Sequence, residues 1–308
     1  MNRIQNGKFS DWKRLALVVP CVGAVALGCL AGFVCQAQDL TVKSGEKIAF
    51  LGDSITQLGA SSPSGYVHLV ISGLEANGIK SEAIPAGISG HKSDNMLERL
   101  ERDVLNKKPN LMALSCGVND VWHGERGIPL EKYKENIRAI VERAQAANIK
   151  VVILTSTMIT ENPDNPNNKK LGSYNEFLRE LAKEKKCPLA DLNADMQAAL
   201  KKAEANPPRL PVGQWFTCDG VHMNVIGNQM MAVGVLKALG LNEAQIAKAK
   251  EHWLDIPQSC EMSGKAKVSI RQFNQLNELA AKRNITVNDL LNKEFVKAVE
   301  SLLNSGHK

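Results

Sequence analysis

The sequence predicts an α/β fold in which a parallel sheet is covered by helices on both faces. Short, nearly all-apolar runs alternate with segments whose apolar residues recur at helical spacing, the pattern of strands buried on both sides between crossover helices. Polar residues with chemical potential also follow directly after several of the runs. In such sheets, ligands sit beyond the carboxyl ends of the strands.

The elements follow in order. Lys47 to Leu51 is a first apolar strand, and Tyr66 to Leu74 reads as a helix. Ser81 to Ile88 reads as a second strand. Asp94 can cap a helix whose apolar residues are Met96, Leu97, Leu100, Val104 and Leu105, a helical spacing. LMALSCG, from Leu111, is the third strand; Tyr133, Ile137, Ile140, Val141 and Ala144 mark another helix. VVILTSTM is the fourth strand, and Tyr174, Phe177, Leu178 and Leu181 mark the next helix. CPLADL is a short fifth strand, and a final helix covers roughly Val225 to Leu239. Residues 243–308 hold amphipathic helices with no strands between them and read as a helical extension of a domain spanning residues 38–242.

Residues 1–37 read as a separate unit. MNRIQNGKFSDWKR is basic, 21 uncharged residues follow, and Ala37 sits where an export signal could be cut. The apolar run is also long enough to stay as an uncleaved anchor, and a lipoprotein reading at Cys29 is weakened by Ala26 where leucine is usual. Each alternative puts the folded part outside the cytoplasm, in the periplasm or beyond the cell, with membrane contact only through an uncleaved N-terminal segment. Of the net charge of +6, residues 38–308 carry +3, too little to argue for a nucleic-acid partner. Outside the leader lie Cys116, Cys187, Cys218 and Cys260. Four cysteines in an exported chain allow one or two disulfides. Their spacing fits no zinc pattern, and Cys116 and Cys187 read as small buried residues.

The polar residues at the strand ends form a chemical set. Strand one ends in Gly52-Asp53-Ser54, strand two in Gly87-Ile88-Ser89-Gly90-His91, strand three in Gly117-Val118-Asn119-Asp120, and a late loop supplies Asp219 and His222. A serine hydroxyl is a weak nucleophile until a base takes its proton. Asp219 and His222, three apart, can place an imidazole and its orienting carboxylate on one side of a turn. The backbone N–H of Ser54, the N–H of Gly90 and the Asn119 amide are candidate donors to a developing oxyanion. Taken singly, each motif has a plainer reading: a capping serine, a helix-capping aspartate, glycines that permit a turn. Their joint order along the chain is what those readings leave unexplained.

FLGDSIT, AGISGHKS, GVND and DGVH together resemble the four sequence blocks of the SGNH (GDSL) hydrolase superfamily, over roughly residues 47–240. The resemblance implies a flavodoxin-like three-layer α/β/α sandwich with a five-stranded parallel sheet and no metal or cofactor. It implies Ser54 as nucleophile, Asp219 and His222 as its partners, and Ser54, Gly90 and Asn119 as the oxyanion hole. Gly90 is preferred to Gly87 because the polar pair His91-Lys92 follows it. It also implies a serine esterase acting through an acyl-enzyme on a small-molecule or polysaccharide ester. Asp53 is expected to shape the turn or line the site, and Trp122, His123 and Trp215 to line it. Aromatic faces suit sugar rings and acyl chains alike. The polar stretch ENPDNPNNKK, residues 161–170, is placed to touch a bulky substrate. Deacetylation of carbohydrate is the expected reaction; hydrolysis of lipid or short aliphatic esters is the alternative, and a non-catalytic envelope binding protein a more distant one. No G-x-S-x-G elbow, no K-T-G after Ser93-Asp94-Asn95 and no G-x-G-x-x-G occurs, which removes three other enzyme classes. His68, His91 and His123 match no ligand grouping.

Overall fold

The computed structural model describes residues 40–205, 213–256 and 268–305. Expectations about the leader and about Cys260 lie outside the described residues. Five strands, β1 (Lys47–Gly52), β2 (Glu82–Gly87), β3 (Leu111–Ser115), β4 (Lys150–Leu154) and β5 (Leu189–Ala190), form one sheet. Its order is β2-β1-β3-β4-β5, with every pairing parallel. This is the flavodoxin-like order that the sequence resemblance implies. Pro85 pairs opposite Phe50 in β2; because β2 is an edge strand, the missing N–H leaves no ladder bond unmade. All five residues of β3, the central strand, are buried, as expected when helices cover both faces.

The connections explain the layers. The chain passes from β1 to β2 in one direction, through α1 (Ser54–Ser61) and α2 (Tyr66–Ala76). It then returns across β1 to β3, β4 and β5 through α3 (Ser93–Asp103), α5 (Leu130–Ala146) and α6 (Pro166–Glu184). Right-handed crossovers in opposite directions put their helices on opposite faces. Accordingly α3, α5 and α6 pack in sequence on one face, while α2 packs against α8 (Val225–Ala238) and α9 (Glu243–Leu254) on the other. α7 (Leu192–Ala205) follows β5 and also meets α8. A short helix, α4 (Val118–Trp122), follows β3.

The periodic helices lie close to their expected places, and the departures have local causes. VVILTSTM stops pairing at Leu154. The next residues are taken up by other partners: Thr155 donates to Asp191, Ser156 donates to the Cys116 carbonyl, and the Ser156 N–H donates to Asn175. CPLADL contributes only two residues to the sheet. Half of the 161–170 stretch is helical, since α6 begins at Pro166 behind an Asn165 cap. Cys116 and Cys187 are buried free thiols, and Cys218 is exposed and free.

From residue 243 onward the packing divides. α9 lies on α2, burying Ile246, Ala249 and Trp253. The Trp253 indole N–H donates to the Leu69 carbonyl at 3.0 Å, and burial of such a ring contributes about 2–3 kcal/mol. α10 (Ile270–Lys282) and α11 (Val287–Ser305) bury only Ala280 and Leu290, neither of which belongs to the main core cluster.

Candidate active site

Connections leave β1 and β3 toward opposite faces of the sheet, which opens a crevice at their carboxyl ends. Ser54 opens α1 directly after β1, and Asn119 lies in α4 directly after β3. Asp53 caps α1: its carboxylate accepts from the Ile55 N–H at 2.9 Å. That cap turns the chain sharply from strand to helix and leaves Ser54 at the end of the sheet.

Ser54 comes together with His222, 168 positions further along the chain, and with Asp219 beside it. The Ser54 hydroxyl lies 2.9 Å from His222 Nε2, and His222 Nδ1 lies 2.6 Å from Asp219 Oδ2. Asp219 Oδ1 accepts from the backbone N–H groups of Val221 and His222 at 3.0 and 2.8 Å. Asp219 therefore fixes the turn as well as the ring. With Nδ1–H donating to this carboxylate, Nε2 is left to accept the Ser54 proton. Burial pushes the Asp219 carboxyl up, but the His222 ring and the two backbone donors outweigh it and hold the group below its ordinary value. It stays ionised, as an imidazole-orienting carboxylate must. The alternative that Asp219 serves as a helix cap does not arise, since Asn224 caps α8.

Two glycines compete for the second strand's donor. A Cβ on Gly87 would lie 2.3 Å from the Gln57 nitrogen, so that residue is a glycine to let β2 and α1 pack. Gly90 has a φ of +77°, with open space where a side chain would stand. Asn119 is buried. Its amide donates to the His91 carbonyl at 3.1 Å, and its oxygen lies 3.2 Å from His123 Nε2. One amide hydrogen remains for another acceptor.

The candidate lining residues separate. Trp122 is 45% exposed, three residues beyond Asn119. His123 is half-buried and touches Asn119. Trp215 is buried in the core cluster, its indole N–H without a partner among the described residues. Asp53 is buried beneath Ser54; desolvation lifts its carboxyl to about 6, with the nearby Asp120 adding to the rise against the Ile55 N–H and His222. Asp120 is itself raised, first by burial. Asp120 also accepts from the Ser93 N–H at 3.0 Å.

Sequence reasoning missed two supports of this site. Arg99 is buried and donates to the carbonyls of Gly52 and Ala86 at 2.8 and 2.9 Å, to Asp103 at 3.0 Å and to His91 Nδ1 at 3.1 Å. It ties the ends of β1 and β2 together beneath the loops. Burial and Arg99 together lower the His91 pKa, which keeps that ring a neutral acceptor. Glu161, placed by sequence in a substrate-facing loop, instead accepts from the Trp215, Phe216 and Thr217 N–H groups. The spacing of Met96, Arg99, Leu100 and Asp103 on one helix was the only available sign of Arg99; Glu161 left none. Among the described residues no cluster of His, Cys, Asp and Glu could hold a metal ion, and no helix is long and apolar enough to cross a membrane.

Residues 50–230 match the GDSL-like Lipase/Acylhydrolase family. An acetylxylan esterase of Geobacillus stearothermophilus is 28% identical over 222 residues, 65% of this chain and 97% of that protein. The esterase TesA of Pseudomonas aeruginosa is 30% identical over 128 residues, 41% of this chain and 60% of that protein. Among solved structures, an acetyl xylan esterase (AlAXEase) superposes with a TM-score of 0.57 at 35% identity, covering 62% of this chain and 98% of that one. A Geobacillus stearothermophilus acetylxylan esterase superposes with a TM-score of 0.58 at 26% identity, covering 66% and 98%. With the family match spanning more than half of its length, the chain belongs to the GDSL-like lipase/acylhydrolase family, the group its four ordered sequence blocks resemble.

Proposed function

We propose that this protein is a serine esterase that removes acetyl groups from carbohydrate through an acyl-enzyme. The observation that carries the reading is the continuous chain Ser54 Oγ, His222 ring, Asp219 carboxylate, at 2.9 and 2.6 Å. His222 Nε2 takes the hydroxyl proton as Ser54 Oγ attacks the acetyl carbonyl, and Asp219 stabilises the imidazolium that forms. The negative oxygen of the tetrahedral intermediate is received by the Ser54 and Gly90 N–H groups and the free hydrogen of the Asn119 amide. His222 then protonates the departing sugar hydroxyl. Water, activated by the same imidazole, releases acetate and restores Ser54. No cofactor takes part.

Carbohydrate as the alcohol side of the ester is supported by the acetylxylan esterases among the relatives and by the exposed Trp122 face beside Asn119, since aromatic faces suit sugar rings. An exported location, as residues 1–37 lead one to expect, suits a polymer that cannot enter the cell. The alternative, an aliphatic or lipid ester, draws on the TesA similarity and on exposed Leu58 and Ile226, each four residues beyond a triad member. Two assays separate them: turnover of p-nitrophenyl esters from acetate to octanoate, and acetate release from a panel of acetylated polysaccharides. Deacetylation requires a sharp preference for acetate and release from at least one polymer. Activity rising toward octanoate overturns it, and failure of a fluorophosphonate to label Ser54 removes the esterase reading altogether.

A further inference from the structure

Asp219 and His222 lie in a narrow turn between two short legs. Thr217 and Met223 form an antiparallel bridge, the Asn224 N–H donates to the Phe216 carbonyl at 3.0 Å, and the Cys218 N–H donates to the His222 carbonyl at 2.8 Å. Neither leg belongs to the main sheet. The first leg is gripped from the loop after β4. Glu161 Oε2 accepts from the Trp215 N–H at 2.8 Å; Oε1 accepts from the Phe216 N–H, the Thr217 N–H and the Thr217 hydroxyl, each at 2.7 Å. The same hydroxyl accepts from the Gly220 N–H at 3.1 Å. One carboxylate thus reaches, through one hydroxyl, Gly220 between Asp219 and His222.

The opposing loop is built for this contact. Thr160 donates its N–H to the Gly220 carbonyl at 2.7 Å and is held at a φ of +66°, a left-handed conformation that is costly for a β-branched residue. Asn168 of α6 holds it there: its oxygen accepts from the Ile159 N–H, and its amide donates to the Thr160 and Asn162 carbonyls. A Cβ on Gly220 would lie 3.2 Å from the Thr160 backbone, so the two loops meet without a spacer. Such a strained, fully bonded contact beside a reactive histidine serves geometry better than it serves stability.

We propose that Glu161 is the positioning residue of the His222 turn. It acts through the Trp215–Thr217 leg and the Thr217 hydroxyl to keep His222 Nε2 within reach of the Ser54 proton. The inference rests on His222 being the base, and the experiment separates the two. Glu161→Gln keeps shape and size but replaces an acceptor oxygen by an amide that faces backbone donors. Thr217→Val removes only the hydroxyl and keeps the three backbone bonds.

Both variants are compared with wild type for p-nitrophenyl acetate turnover, fluorophosphonate labelling, thermal midpoint and the low-field proton resonance of His222 Nδ1–H. Displacing a reacting group by about 1 Å costs about 10²-fold. Glu161→Gln is therefore expected to lower kcat by about 30- to 100-fold, with KM within about twofold and the low-field resonance shifted or lost. Thr217→Val is expected to lower kcat by about 5- to 10-fold in the same manner. A Glu161→Gln enzyme that retains kcat within about threefold, or loses it with an unchanged low-field proton, overturns the proposal while wild-type labelling leaves the triad standing. If Glu161→Gln does not fold, Thr217→Val decides by the same criteria. Unlabelled wild-type enzyme sinks the triad itself, and the role of Glu161 with it.

Discussion

The proposed nucleophile, Ser54, and the proposed base, His222, are held by different physics. Ser54 stands on the main sheet: it follows a strand with every residue but the first buried, its turn is fixed by buried Asp53, and buried Arg99 ties down the carbonyl two residues before it. Asp219 and His222 stand on a turn outside the sheet, with the Asp219 side chain 51% exposed. That turn is held by polar bonds to another loop. The first half is made rigid by the hydrophobic core, whose cost is spread over many residues. The second is made rigid by a few oriented hydrogen bonds, each of which can be removed by one substitution. The half proposed to accept and return a proton is the half left closer to water.

The largest expected effect tests whether the buried half carries the chemistry. Ser54→Ala should lower kcat by about 10⁵-fold or more, measured on p-nitrophenyl acetate, with circular dichroism and thermal midpoint unchanged, because among the described residues the hydroxyl bonds to His222 alone. Residual turnover above about a hundredth of wild type would mean that another nucleophile operates. Asp219→Ala probes the other half and should cost less, about 10³- to 10⁴-fold in kcat. Water can reach the vacated position and bond the imidazole N–H, which a sealed carboxylate site would not allow. Equal losses for the two variants would show that the apparent asymmetry in exposure has no energetic consequence.

A third experiment addresses the charge beneath Ser54. Burial raises the Asp53 carboxyl to about 6 from 3.8. A folded-state pKa above the unfolded one means that the native protein binds the proton more tightly between these values. Stability from this group is therefore fully present below about pH 4 and is lost as pH rises through about 6. Asp53→Asn keeps the oxygen that accepts from Ile55 and removes the charge. It should stabilise the protein at pH 7 by roughly 2 kcal/mol, the gain vanishing near pH 4, as read from urea unfolding at several pH values. A variant that is destabilised at pH 7 would mean that the ionised carboxylate is supported by more than its desolvation suggests. Natural retention of an aspartate that costs stability would then need no functional account.

How far the sequence could be read follows the same division. Long periodic helices, buried strands and the strand-end motifs were legible because period and spacing are local. Ser54, Asn119, Asp219 and His222 were singled out as candidates that way, and the structure brings Ser54, Asp219 and His222 into bonding distance. α4 and α7 were not legible: α4 has five residues, too few for a period, and α7 mixes alanine and lysine with only three buried positions. Trp215 was expected at the rim because an aromatic residue in sequence looks the same there as in the core, where packing puts it. Arg99 and Glu161 act on backbone groups as far as 47 and 56 positions away. A backbone N–H or carbonyl has no sequence identity, so a side chain aimed at one leaves no partner to recognise.

The smallest expected effect concerns the rim, where neither kind of rigidity applies. Trp122 closes α4 three residues after Asn119, is nearly half exposed, and meets the His123 ring edge-on at 6.5 Å. His123 in turn touches the Asn119 oxygen. Removing the indole takes away a face for a sugar ring, worth about 1 kcal/mol, and leaves the Asn119 contacts in place. Trp122→Ala should therefore raise KM on acetylated xylo-oligosaccharide by about fivefold, with kcat and the turnover of p-nitrophenyl acetate unchanged. The small ester occupies the acyl position alone and has no second ring to stack. If both substrates weaken together, the tryptophan acts through His123 and Asn119 on the oxyanion donor, and the rim is part of the machinery it borders. If neither changes, the polymer lies elsewhere, and the exposed face beside Asn119 has no part in choosing it.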